Sequence, residues 1–371
     1  MSLNQLHKEI EEKGIKFLFT DYYDTIVHRR VHPNYTQRIW AKLMIRELGL
    51  PISIDELYFI RQASVKYLIG KLGKEDVEIP YEALKQEICK RLINADIISI
   101  DEKEAFISLF EDADVRAESS VQYLNQDVLD TLKYFKSKGV KVYLVSYFYG
   151  SKTLFEKLLV HHGISDVFDE VYSSAELEKS KHAGTIYAPI LSELSIEAKD
   201  VIMIGDNLRS DYTNAIKSGL NAYQLPHKKY LKKNKRNNFG NDKKRLNNII
   251  NDIYKTCNKR SSIPYTEYIV FYHTFIERMY ETAKRKKLKD LFFLSREGQY
   301  LKKLFDSYQD FAVIDESKKI KTHYLKISRQ ASLQIALKDL DVENFGYLQQ
   351  TYSNLSVDDF LLAVNCPEDL K

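Results

Sequence analysis

The chain has 371 residues, 29% of them charged and 44% hydrophobic, with a formal net charge of +4. That length exceeds one ordinary domain, and the composition is that of a globular protein with ample core. The charge is too small to argue for nucleic-acid binding, and no run approaches the ~18–20 apolar residues of a membrane span.

Cys89, Cys257 and Cys366 lie far apart and suggest neither a disulfide framework nor metal-ligand spacing. The N-terminus is polar and mixed in charge, unlike a secretory signal. A reducing, cytoplasmic location is therefore expected. Heavy use of Lys, Asn, Ile and Tyr fits an AT-rich bacterial coding sequence.

In chain order, Lys16–Thr20 reads as an apolar strand that runs into Asp21, with Tyr22, Tyr23, Asp24 and Thr25 in the turn beyond. Residues 30–120 change to helical periodicity. Trp40, Leu43, Met44 and Leu48 make one stripe, and Leu84, Ile88, Leu92 and Ile93 another. Asn34, Ser53 and Asp101 are expected N-caps. Three or four helices inserted after the first strand would sit over the strand ends as a lid.

From about residue 121 to 226, strands and helices alternate. Strands are expected at Val140–Ser146, Glu170–Ser173, Val201–Ile204 and Asn221–Leu225. Helices are expected at Asp127–Lys138, Lys152–His162 and Asp211–Ser218. Alternation of this kind predicts an α/β fold with a doubly wound parallel sheet. Residues 227–262 are dense in Lys, Arg and Asn and read as a basic linker. A site for anionic polymer or lipid headgroups is the sharper alternative. Residues 263–371 read as a smaller α/β module, with a helix at Glu267–Lys286 and strands at Asp290–Ser295 and His323–Ile327. Its two strand-to-helix turns carry Arg296 and Arg329, as anion ligands or as internal salt bridges. The module has too few strands for a sheet of its own, so it is either cut short or packed on a protein partner.

Strand ends carry the chemistry. Asp21 follows the first strand, Ser146 ends the second, Lys181 follows the third, and Asp206 and Asp211 follow the fourth. In a doubly wound sheet these ends converge on one crevice. A carboxylate can attack phosphorus, while a hydroxyl and an ammonium hold the phosphoryl oxygens. Carboxylates converging with a phosphate require a hard cation, which implies Mg²⁺.

These residues, in this order, resemble the haloacid dehalogenase (HAD) superfamily over roughly residues 15–226. Asp21 to Thr25 match its first motif, Ser146 its second, Lys181 its third, and Gly205-Asp206 with Asp211 its fourth. The resemblance implies a Rossmann-like core at 1–29 with 121–226, and a helical C1-type cap at 30–120. It implies Asp21 as nucleophile and Mg²⁺ ligand, and Asp206, Asp211 and the backbone carbonyl of Tyr23 at the metal. It implies Thr25, Ser146 and Lys181 on the substrate phosphate. The form Asp21-Tyr22-Tyr23-Asp24-Thr25-Ile26, with Arg296-Glu297-Gly298 and Ser328-Arg329 downstream, is similar to bacterial HAD-like proteins of surface-polysaccharide biosynthesis. The implied activity is a phosphatase or phosphotransferase acting on a small phosphorylated metabolite, such as a sugar phosphate of that pathway.

One residue departs from the pattern. Family phosphatases carry an Asp at the position of Tyr23, where it protonates the leaving oxygen and later activates water. A phenol, with a reference pKa near ~10, is a poor base at neutral pH. Asp24 reads as a brace of the turn, and His28 as structural. A second reading follows: a non-hydrolytic phospholigand-binding or scaffold protein that has lost proton transfer. Cleavage of C–halogen or C–P bonds is a third, which the paired Asp206 and Asp211 disfavour for the metal-free dehalogenases.

Overall fold

The computed structural model describes residues 3–72, 78–148, 150–225, 242–260 and 268–339, with 341–344, 346, 354, 356–364 and 366–370 near the end. The chain divides into two compact units, Met1–Glu267 and Tyr268–Lys371.

The first unit is built on β1 (Phe17–Thr20), β4 (Lys141–Ser146), β5 (Glu170–Ser173), β6 (Val201–Gly205) and β7 (Asn221–Gln224). They form one parallel sheet in the order β5-β4-β1-β6-β7. The strands are short apolar runs buried on both faces, as parallel sheets require. Helices α6 (Gln126–Ser137), α7 (Lys152–His162), α8 (Ser174–Leu177), α9 (Tyr187–Leu194) and α10 (Asn214–Lys217) connect them. One face of the sheet packs Phe19, Val145, Met203, Tyr187 and Ile190 into a single core. The Ser151 hydroxyl caps α7 through the Leu154 N–H, and Gly163 closes it at φ 65°. A short N-terminal helix, α1 (Leu3–Glu12), was not expected; it buries Leu6 and Ile10.

A second pairing was also not expected. β2 (Val27–Arg29) and β3 (Gln122–Leu124) form an antiparallel ribbon at the two crossings into the helical insert. Between them lie α2 (Pro33–Leu48), α3 (Ile54–Leu72), α4 (Tyr81–Asn94) and α5 (Lys103–Val121). Ser53 caps α3 as expected, exchanging bonds with Glu56. Asn34 does not cap α2. Pro33 fixes the first helical position, so His32 is the cap and its Nδ1 accepts from the Asn34 N–H. Asp101 is not a cap either: Ser99 and Glu102 form the capping box, and Asp101 lies inside the short turn they open. The insert's core holds the buried pair Arg61–Asp114 at 2.8 and 3.0 Å, with the Tyr81 hydroxyl donating to Asp114 and Arg61 over Trp40.

Within the stretch expected as linker, residues 242–260 form a helix (Asp242–Arg260) with Leu246, Ile249 and Ile253 exposed at helical spacing. Residues 227–241, 261 and 262 lie outside the described residues. The second unit pairs β8 (Asp290–Leu294) with β9 (Lys321–Leu325) in parallel. Helices Ile269–Arg285 and Glu297–Ala312 pack Ile276, Tyr280, Phe305 and Tyr308 onto Phe293. Gly298 is required there, since a Cβ would lie 2.9 Å from the Phe293 carbonyl carbon. Arg296 is exposed, at φ 75°, and makes no ion pair among the described residues. The Arg329 side chain lies outside them.

Candidate active site

The carboxyl ends of β1, β4 and β6 meet at one crevice. Asp21 follows β1, and its N–H still donates to the Ile204 carbonyl on β6 at 2.9 Å, which holds the residue in line with the sheet. Its side chain meets Lys181, whose Nζ lies 2.7 Å from Asp21 Oδ1 and 2.7 Å from Asp211 Oδ1. The same ammonium donates to the Val145 carbonyl at 2.9 Å. Asp21, Asp206 and Asp211 each bring a carboxylate oxygen to within 4.8 Å of the others.

Lys181 is held from several sides. Asn214 on α10 donates to the carbonyls of Lys181 and His182. Burial alone would lower the Lys181 pKa, but Asp21 and Asp211 outweigh it and hold the ammonium charged. Burial lifts the Asp21 carboxyl to about 7; Lys181 opposes the shift, and Asp211 and Asp206 add to it. A divalent cation among the three carboxylates would offset that penalty.

The turn after β6 departs from the expected helix Asp211–Ser218. Asn207 caps the N–H groups of Arg209 and Ser210, and a wide turn, Leu208–Thr213, runs into α10. The turn brings Asp211 back over Gly205, where its Oδ2 accepts from the Asn207 N–H at 2.9 Å. A Cβ on Gly205 would lie 2.2 Å from that oxygen. Gly205→Ala is therefore expected to displace Asp211 and to cost about 2 kcal/mol in urea denaturation. A variant as stable as its parent would contradict this.

Two sequence-predicted hydroxyls are unpartnered. Ser146 and Thr25 are buried, and their oxygens have no hydrogen-bond partner among the described residues. Such groups are costly unless a ligand satisfies them. The structure thus brings Asp21, Lys181, Asp206 and Asp211 into direct contact or near contact; Ser146 ends β4, and Thr25 lies in the turn between β1 and β2.

Tyr23 lies elsewhere in character. Its ring is 8% exposed, packs against Tyr22, Phe148 and Phe155, and sits 3.7 Å beneath the Arg29 guanidinium. Arg29 is clamped by Glu118 at 2.9 and 3.1 Å. Glu118 also accepts from Gln122, whose Oε1 accepts from the Tyr22 hydroxyl. This buried network joins the β2–β3 ribbon to the first turn, and the sequence gives no local signal for it. Asp24 takes a left-handed turn conformation at φ 58°, its carboxylate 3.8 Å from His28 Nδ1.

An open parallel sheet of this kind is a Rossmann-like α/β fold, in which ligands bind at the carboxyl ends of the strands, where the ammonium and carboxylates lie here. The model of the haloacid dehalogenase-like hydrolase family matches residues 15–219, and the chain belongs to that family. No curated protein sequence matches it. Among solved structures, a 2-haloacid dehalogenase from Pseudomonas syringae is 16% identical with a TM-score of 0.43, over 57% of this chain and 86% of its own. An L-2-haloacid dehalogenase from Xanthobacter autotrophicus is 15% identical with a TM-score of 0.36, over 57% and 77%. A predicted phosphoglycolate phosphatase from Haemophilus somnus is 15% identical with a TM-score of 0.37, over 58% and 91%. Among the described residues no helix is long and apolar enough to cross a membrane.

Proposed function

We propose that this hydrolase is a Mg²⁺-dependent phosphatase or phosphotransferase that works through an aspartyl-phosphate on Asp21. Its substrate on this reading is a small phosphorylated metabolite, such as a sugar phosphate used in surface-polysaccharide synthesis in the cytoplasm. The observation that carries the reading is the meeting of three carboxylates, two of them on one buried ammonium.

The carboxylates of Asp21, Asp206 and Asp211 fit a hard divalent cation in donor type and spacing, and the Tyr23 carbonyl joins them by the family pattern. When bound, Mg²⁺ would neutralise phosphoryl oxygens and lower the repulsion among the carboxylates. Asp21 forms the new O–P bond as the ester O–P bond breaks. Lys181 and the hydroxyls of Ser146 and Thr25 hold the phosphoryl oxygens. The leaving oxygen takes a proton from solvent, and a water then attacks phosphorus, breaking the Asp21 O–P bond to give phosphate and restore the carboxylate.

The test is phosphate release from a panel of phosphate esters with Mg²⁺ or with chelator, combined with trapping of acyl-phosphate. Release that depends on Mg²⁺, with label on Asp21, is expected. No turnover on any ester and no trapped aspartyl-phosphate would sink the reading.

A second reading is favoured by Tyr23. Its ring is fixed in an aromatic box beneath Arg29, and it offers no carboxylate for proton transfer. General acid–base help is worth ~10²–10⁴-fold, so its loss slows turnover and leaves binding intact. Mg²⁺-dependent binding of a phosphoryl ligand without turnover would select this non-hydrolytic alternative.

A further inference from the structure

The helix Asp242–Arg260 is the last described element of the first unit, and no other described element of that unit packs along it. Leu246, Ile249, Ile250, Ile253, Tyr254 and Cys257 recur every three or four residues and so share one face. Leu246, Ile249 and Ile253 are 56%, 49% and 37% exposed. Asn247, Asn248, Asn251, Asp252 and Lys255 fall on the other face and are exposed. The helix is thus amphipathic, with an apolar stripe that faces water.

Its charge says what the stripe meets. The helix holds six Lys or Arg against two Asp, a net +4 that equals the charge of the whole chain. In its first turn Lys243, Lys244 and Arg245 outnumber Asp242, although cations there oppose the helix dipole. The stability of the helix by itself gives no reason for them, whereas an anionic ligand does. A soluble polyanion would use the cations and leave the apolar stripe in water. A bilayer rich in acidic lipids uses both, being anionic at its surface and apolar beneath. The helix is about 28 Å long and apolar on one face only, so it would lie in the plane of the surface and not cross it.

We propose that the helix Asp242–Arg260 docks the protein on an anionic lipid surface. Leu246, Ile249 and Ile253 sink to the level of the acyl chains, and the lysines and arginines stay with the headgroups. Apolar burial and electrostatic attraction then act together, as stable attachment of a surface helix requires. The proposal does not rest on the chemistry proposed for the crevice.

The test is flotation of the whole chain with vesicles of phosphatidylcholine alone and of phosphatidylcholine with about one-third phosphatidylglycerol. The chain should float with the mixed vesicles only, and raising NaCl from about 0.05 to about 0.5 M should weaken its binding. Leu246→Gln, Ile249→Gln and Ile253→Gln combined keep every charge and change only exposed side chains, and should lower binding at least about tenfold. Lys255→Gln with Lys259→Gln should lower it about 25-fold, or about fivefold for each cation. Circular dichroism checks that each variant is folded; if the triple variant is not, the lysine pair decides. Equal flotation with both vesicles, none with either, or triple-variant binding equal to the parent would overturn the proposal. So would binding of polyphosphate without vesicle binding, or a dimer in solution that the triple variant dissolves while vesicles stay unbound.

Discussion

Asp21→Asn is expected to stabilise the metal-free protein while abolishing turnover, and Lys181→Met to destabilise it while also stopping turnover. The opposite signs follow from counting charge in the crevice. Three carboxylates meet and two of them share one buried ammonium, and burial leaves the Asp21 carboxyl at about 7. Its folded pKa lies above the unfolded value of about 3.9. The folded state therefore holds this proton more tightly, and the group's contribution to stability falls as pH rises from about 4 to about 7. At pH 8 the penalty has an upper bound of about 4 kcal/mol, reduced to roughly 2 kcal/mol once local relaxation is allowed. Asparagine removes this penalty and its pH dependence, and leaves Lys181 paired with Asp211. Removing Lys181 instead strands two buried carboxylates, at a cost of about 3–5 kcal/mol. On the aspartyl-phosphate reading, loss of the Asp21 carboxylate should lower turnover by at least ~10⁴-fold. Urea denaturation in chelator at pH 5 and pH 8 reads the stabilities, and phosphate release with Mg²⁺ reads turnover. An Asn variant less stable than its parent at pH 8, or one that still turns over at the parental rate, would refute the assignment.

Tyr23→Asp is expected to lose about 3 kcal/mol of stability and to gain less than about tenfold in phosphatase rate. The substitution restores the residue type of related phosphatases, but not its surroundings. The Tyr23 ring fills the space between Tyr22, Phe148 and Phe155, and a shorter side chain leaves a cavity there. The new carboxylate would also lie near Arg29, which Glu118 already holds with two hydrogen bonds. A salt bridge to Arg29 would draw the carboxylate away from the crevice and keep it ionised, whereas a general acid must carry a proton. Denaturation midpoints and p-nitrophenyl phosphate turnover test both parts. A variant as stable as the parent and faster by ~10²-fold or more would show that Tyr23 alone limits turnover.

Much of the sheet was legible because its signals are local. Glu170–Ser173 and Lys152–His162 have the expected bounds, since an apolar run, a serine cap and a closing glycine all sit in the sequence beside them. The site residues could be read for a topological reason: parallel strands end at one edge, so residues far apart in the chain arrive together. The ribbon β2–β3 escaped because each strand has only three residues and its partner lies across the whole insert. The caps at Asn34 and Asp101 failed because a neighbouring Pro33 and a competing Ser99–Glu102 pair captured the helix starts. Arg29 and Glu118 act through each other across 89 residues, and residue type alone gives no sign of the pairing.

The ribbon also bears on the order in which the chain folds. β1 must find β4 across the entire insert before the central sheet exists. If the insert and its ribbon form first, Arg29 and Gln122 are already neighbours, and the open loop between β1 and β4 contracts to about a quarter of its length. By loop-closure entropy that contraction is worth roughly 1 kcal/mol toward the central pairing. The insert can thus act as a folding staple for the sheet beneath it, independently of any part it plays over the crevice.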